Sequence, residues 1–181
     1  MIISVFMKES RYNKISAKDK IIKNKRIIFV VLITISLVIF DQLVKIIIVN
    51  NLYNSTSTIF KGILNFTYVE NTGGAFGIGS SSTIMFIIVN IIIIGIILKL
   101  IISKKNNISL AILISLTLIM AGGIGNLIDR VFRGYVIDYI DINPLIKYPI
   151  FNIADICVVM GCIGILMYTI YRRNKLWKNI K

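Results

Sequence analysis

The sequence predicts an all-α membrane protein, with four transmembrane helices and a small extracytoplasmic β-sheet between spans one and two. Three observations carry that expectation. Of the 181 residues, 56% are hydrophobic and only 16% charged, with a mean hydropathy of +0.84. Four apolar runs are each long enough to cross a hydrocarbon core about 30 Å thick at about 1.5 Å of rise per residue. The run Leu64-Asn65-Phe66-Thr67-Tyr68-Val69 alternates apolar and polar residues and is rich in aromatic and β-branched types, which reads as a strand.

The first span, 27–49, is broken only by Asp41, Gln42 and Lys45. The second, 84–102, contains Asn90 and Lys99, and the third covers 108–128. The fourth, 150–171, carries Asn152 and Asp155 near its start and is otherwise apolar. Between spans one and two, Asn71-Thr72-Gly73-Gly74 follows the strand as a turn, or as a place where backbone comes close to a ligand. Between spans three and four, 131–149 is too short for a domain and reads as a cap over the helix ends, with Gly134 and Asn143-Pro144 as turn signals.

A net charge of +13 suggests nucleic acid in a soluble protein, so the placement of the basic residues decides. Eight precede the first span, two (Lys104 and Lys105) lie between spans two and three, and five follow the fourth; the two remaining loops hold only Lys61, Arg130, Arg133 and Lys147. Basic residues accumulate on the cytoplasmic side of spans. Both termini are therefore expected in the cytoplasm, with 50–83 and 129–149 outside, and the partners of the basic flanks are membrane lipids rather than nucleic acid. The organisation is a basic cytoplasmic arm (1–26), a four-span unit (27–171) and a basic cytoplasmic tail (172–181). The first span is longer than the apolar region of a secretory signal and contains an Asp and a Lys, so a cleaved leader is not expected.

With no histidine in the chain, Ser-His and Cys-His catalysis are excluded, and a metal site would need carboxylates alone. No metal or cofactor is expected. Cys157 and Cys162 lie five residues apart, about 140° around a helix, and read as buried packing residues.

The chain has eight acidic residues, and six of them (Asp41, Glu70, Asp129, Asp138, Asp141, Asp155) fall at or near the outer side. Ionisable groups in or beside apolar spans are costly and mark functional sites. Asn126-Leu127-Ile128-Asp129 closes span three and Asn152-Ile153-Ala154-Asp155 opens span four; Asn and Asp at i and i+3 share a helix face, so the two polar faces confront each other. Gly122, Gly123 and Gly125 allow close approach. Asp138, in a short apolar run, folds back toward Asp155. Two carboxyls sharing a site do not both ionise easily, so one keeps a proton while the other activates water. On spacing alone, structural polar contacts and an ion pathway stand as alternatives. Asp41 and Lys45 at i and i+4 form an intramembrane ion pair of structural role, and Asp129 with Arg130 does the same at the interface. Asp141 reads as a solvated loop residue, and Ser80 to Ser82 are the fallback nucleophiles.

Taken in order, Asp41-Gln42 with Lys45, Asn71-Thr72-Gly73-Gly74-Ala75-Phe76, Gly122-Gly123 through Gly125-Asn126-Leu127-Ile128-Asp129-Arg130, Val136-Ile137-Asp138-Tyr139 and Phe151-Asn152-Ile153-Ala154-Asp155 resemble the lipoprotein signal peptidase (signal peptidase II) family over roughly 36–171. That resemblance implies a membrane aspartic endopeptidase of the bacterial cell (inner) membrane. Its substrates are diacylglyceryl-modified prolipoproteins, cut before the lipidated cysteine at the outer face, without a metal, and it is blocked by the cyclic peptide globomycin. It implies Asp138 and Asp155 as the catalytic pair, with Asn71, Gly73, Asn126, Asp129, Arg130 and Asn152 supporting or contacting substrate. Gly74, Tyr139 and Tyr148 depart from the usual family residues without removing a functional group.

Overall fold

The computed structural model describes residues 2–73, 83–103 and 108–178, with side chains from residue 24 onward. Its elements are α1 (Ile2–Leu52), β1 (Thr56–Phe60), β2 (Leu64–Asn71), α2 (Thr83–Ser103), α3 (Leu110–Arg133), β3 (Val136–Asp141) and α4 (Ile153–Lys178). The Gly74-Ala75-Phe76 part of the motif, Ser80 to Ser82 and the Lys104 and Lys105 pair lie outside the described residues.

Four stretches are long and apolar enough to cross a membrane: Asn24–Leu52, Thr83–Ser103, Leu110–Arg133 and Ile153–Trp177. They extend the expected spans by a few residues, because helix ends carry polar residues that a hydropathy window leaves out. The third is the central one. Just over half of its apolar window (56%) is buried, against 11–17% in the other three, which therefore present most of their isoleucine-rich surface outward. An outward face this apolar is stable only in lipid.

Local chemistry sets the ends of α3. Ser109 caps its start, the side-chain oxygen accepting from Ile112 N, and Gly134 ends it in the left-handed region (φ 83°) with its N–H donated to Arg130 O. Glycine also sets how closely α3 meets α4: a Cβ on Gly122 would lie 2.2 Å from the Ala154 carbonyl oxygen, and one on Gly125 2.8 Å from an Asp41 carboxylate oxygen. Side chains at these two positions would push the start of α4 and the middle of α1 away from α3.

The sheet is antiparallel in the order β1-β2-β3. The strand expected at 64–69 is β2, and β3 is an addition to the expected sheet: it comes from the loop between the last two spans, where the sequence reads only a cap. All but one residue of β3 is buried, so both of its faces are covered and no period of two survives in the sequence. Pairing of Val69 with Asp138 and of Asn71 with Val136 sets Asp138 beside the end of β2. Asp141 is correspondingly not a solvated loop residue. It is buried at the end of β3, accepting from Thr67 Oγ1 (3.0 Å) and from the backbone and side-chain nitrogens of Asn143 (2.9 and 2.7 Å).

Two apolar clusters bracket the polar middle. Ile48, Tyr68, Ile137 and Tyr139 pack where the sheet sits on the helix ends, and Val30, Ile97, Ile101, Leu113, Leu116 and Met120 pack among α1, α2 and α3 farther along the bundle. Cys157 is buried and free, as expected of a packing residue, whereas Cys162 is exposed on the outward surface of α4.

Candidate active site

Asn152 stands immediately before α4 and organises the site. Its side-chain oxygen accepts from Asp155 N (2.9 Å) while its own backbone N donates to Asp155 Oδ2 (3.1 Å), a reciprocal capping arrangement that begins the helix. Its side-chain nitrogen donates to Asp138 Oδ1 (2.6 Å) and to Asn126 Oδ1 (3.1 Å). One residue, fully buried, thus holds a carboxyl from β3 and a carboxyl from α4 through different atoms.

Each carboxyl has a second support. Asn71 Nδ2 donates to Asp138 Oδ2 (2.8 Å), with the Asn71 amide fixed in orientation because its oxygen accepts from Gly73 N (3.0 Å). Asn126 Nδ2 donates to Asp155 Oδ1 (2.7 Å), and the Asn126 amide is fixed because its oxygen faces the Lys45 ammonium (3.1 Å). Burial first, and then the charge of Asp155, push the Asp138 carboxyl up to about 7, while the bonds from Asn71 and Asn152 pull the other way.

Lys45, 0% exposed, is ion-paired with Asp41 (2.8 Å) and with Asp129 (2.7 Å). The Asp41–Lys45 pair of the sequence reading is present and carries a third member. The expected Asp129–Arg130 pair is not: Asp129 is bonded instead to Arg133, one helical turn on, and to Gln42 Nε2 (3.2 Å). Adjacent helical residues point about 100° apart, so an acid meets a base at i+4 more readily than at i+1. Arg130 turns toward the other side, its guanidinium 5.2 Å over the Phe86 ring, donating to Gly73 O (2.9 Å).

The structure therefore brings Asn71, Gly73, Asn126, Arg130, Asn152, Asp138 and Asp155 together, with Asp41, Lys45 and Asp129 in the layer that supports them. Asn71, Gly73, Asn126, Arg130, Asp138 and Asp155 line one open cavity of about 890 Å³ whose wall continues onto apolar Val158 and Val159 of α4. Sequence reasoning missed Arg133 and Asn143, and placed no role on Gln42. Arg133 was findable from its i+4 spacing to Asp129. Asn143, which lines the cavity and is held by Asp141, had no local signal beyond a turn. Among the described residues, no group of three or more His, Cys, Asp or Glu side chains converges to hold a metal ion.

Comparison with known proteins gives this arrangement a family. The model of the family described as Signal peptidase (SPase) II matches residues 33–171. The chain belongs to the signal peptidase II family. Relatives named lipoprotein signal peptidase include one from Clostridioides difficile (strain 630), 38% identical over 146 residues, covering 80% of this chain and 97% of the relative. Another, from Halothermothrix orenii, is 36% identical over 140 residues, with 77% and 93% covered. A solved structure described as a bacterial membrane enzyme superposes with a TM-score of 0.75 at 35% identity, covering 81% of this chain and 90% of that one. Membership of signal peptidase II makes the chain a membrane protease, and the match takes in the end of α1, all of α2 and α3, the sheet, most of α4 and every residue of the site.

Proposed function

We propose that the chain is an aspartic endopeptidase that removes signal peptides from diacylglyceryl-modified prolipoproteins, cutting before the lipidated cysteine, with Asp138 and Asp155 as its catalytic pair. The observation that carries this reading is the sharing of Asn152 by the two carboxyls at the wall of an open cavity. With the Asp138 carboxyl pushed up to about 7 by burial and the charge of Asp155, a large share of molecules keeps a proton there at neutral pH, and a pair with one proton is the state that acid–base hydrolysis of an amide needs.

The roles follow from the donors already in place. Each oxygen of Asp138 receives an amide N–H, from Asn152 and from Asn71, and each oxygen of Asp155 receives one, from Asn126 and from the backbone of Asn152. Both residues line the cavity, where a water can reach their carboxyls. The ionised carboxyl takes a proton from water as the water oxygen attacks the scissile carbonyl carbon. The protonated carboxyl donates to the carbonyl oxygen; as the tetrahedral intermediate collapses, the proton taken from water passes to the leaving nitrogen, the C–N bond breaks, and the hydroxyl proton returns to the second carboxyl as C=O reforms. Arg130, 9% exposed and hydrogen-bonded to the Asn126 and Gly73 carbonyls, adds a positive charge to the wall of the same cavity.

The basic flanks orient the protein with both termini in the cytoplasm and the sheet with its cavity at the outer face of the bacterial cell membrane. There the apolar wall at Val158 and Val159 receives the acyl chains of the substrate, each buried CH₂ contributing about 0.8 kcal/mol. The test uses purified full-length protein in detergent with a diacylglyceryl-modified precursor, its unlipidated form, and globomycin. Cleavage of the lipidated form alone, blocked by globomycin, is expected. Equal turnover of both forms, or full activity of Asp138→Asn or Asp155→Asn, refutes the reading.

A further inference from the structure

The two acids are not anchored only by their own hydrogen bonds. The residue immediately before each is held through its backbone by a buried carboxylate: Ala154 N donates to Asp41 Oδ1 (3.0 Å), and Ile137 N donates to Asp129 Oδ2 (3.3 Å). Asp41 and Asp129 come from different helices, α1 and α3, and both meet the same ammonium, that of Lys45. The third hydrogen of that ammonium points at Asn126 Oδ1, so the opposite end of the Asn126 amide faces Asp155.

An ammonium has three donors and no acceptor, and here each donor has one partner. Lys45 is fully buried and does not line the cavity. It sends one line to the backbone before Asp155 through Asp41, one to the backbone before Asp138 through Asp129, and one to the Asp155 carboxylate through Asn126. We propose that Lys45 is a positioning residue that sets the separation and mutual orientation of Asp138 and Asp155, drawing their two backbone supports onto a single point.

This rests on the aspartic reading above and deepens it. Placement of reacting groups is sensitive, with a shift of about 1 Å worth about a hundredfold in rate. A plain ion pair between α1 and α3 would serve stability without needing Asn126 as a third partner or the two carboxylates to clasp Ala154 and Ile137.

The experiment uses full-length protein in detergent micelles, with a diacylglyceryl-modified precursor as the probe, and compares wild type, Asp138→Asn and the double variant Lys45→Met with Asp41→Asn. The double change removes one positive and one negative charge. It leaves an amide oxygen at position 41 for Ala154 N, and Asp129 stays paired with Arg133, so no buried charge is left alone. The charged groups around the pair are Asp41 and Lys45 from α1, Glu70 from β2, Asp129, Arg130 and Arg133 from α3, Asp138 from β3, Lys147 from the segment before α4, and Asp155 from α4; the double change leaves their sum unaltered.

The expected result is a cooperatively folded variant whose kcat is lower by about ten- to a hundredfold with KM within about twofold of wild type. Its pH profile of kcat is lowered at the optimum and moves somewhat toward higher pH, because the Lys45 charge holds the Asp138 carboxyl down. A folded variant with wild-type kcat overturns the proposal. So does a pH profile that moves while kcat at its optimum stays at the wild-type level, which would make the role one of charge, and so does failure of the charge-balanced variant to fold, which would assign the cluster to the fold alone. The single variant keeps the two readings apart: if Asp138→Asn still cleaves, the aspartic reading fails; if it is silent while the double variant is unimpaired, only the positioning role fails.

Discussion

Replacing Asp138 with Asn should make the protein more stable above neutral pH and less stable in acid. The folded state holds this carboxyl near 7 against 3.8 in the unfolded chain, chiefly by burial and then by the charge of Asp155. A carboxyl raised on folding contributes its full stability below the unfolded value, and that contribution is lost as pH rises through the folded one. For a move of this size the loss is on the order of 4 kcal/mol at the alkaline end. The amide does not ionise and escapes it. The amide also presents an NH2 where the acid has a second acceptor oxygen, so it opposes one of the two donors, Asn71 Nδ2 or Asn152 Nδ2, although Asn152 Nδ2 keeps Asn126 Oδ1 and the Ile137 carbonyl. Neither donor can turn away, because Gly73 N and Asp155 N hold the opposite ends of those amides, and the loss costs about 1–3 kcal/mol at every pH. The two terms give a variant weaker than wild type by about 1–3 kcal/mol near pH 4 and stronger by a similar amount near pH 9. Thermal melts in a fixed detergent across that range measure it, with cleavage assayed in parallel and expected to be lost. A difference in melting temperature that stays constant from acid to alkali would refute the argument that Asp138 is a strained buried acid.

Gly122→Ala should lower both stability and turnover, since its Cβ would fall 2.2 Å from backbone oxygen at Ala154, beside Asp155; thermal melts and kcat report it, and an unaffected variant would show that α4 moves freely on α3. Asp141→Asn should retain cleavage but lose about 1–2 kcal/mol, because all its partners are donors and an amide accepts fewer of them. Burial raises the Asp141 carboxyl, but the bonds from Asn143 and Thr67 outweigh it and leave the value lowered, so the stability it adds is present at neutral pH and lost as pH falls; a melt series in acid tests this. Cysteines introduced at Ser57 and Asn143 should react with impermeant reagents from outside the cell while one at Asn106 does not, and labelling of Asn106 from outside would invert the orientation.

The spans were legible because hydrophobicity alone defines them, and the site was legible because so few acids interrupt them. Asn126, Asp129, Asn152 and Asp155 were placed together by helix periodicity before any contact was known. The third strand was not legible, since a strand covered on both faces has no alternation to read, and its burial depends on helix ends remote in sequence. The partner of Asp129 was misread as its neighbour because adjacency in sequence is not adjacency on a helix. Asp141 was misread because nothing local to it announces Thr67, 74 residues earlier.

The reciprocal cap between Asn152 and Asp155 means that span four begins on one of the two carboxyls proposed for the chemistry. Those contacts reach only three residues along the chain. Asp138 meets Asn152 from β3, 14 residues earlier in the chain. An evolving sequence is therefore tightly bound at this point. Glu at 155 would still cap the helix but would carry its carboxyl a methylene farther, while Ala would leave both the helix start and the water unattended. Substitutions that experiment with the chemistry are filtered first by whether the span can start.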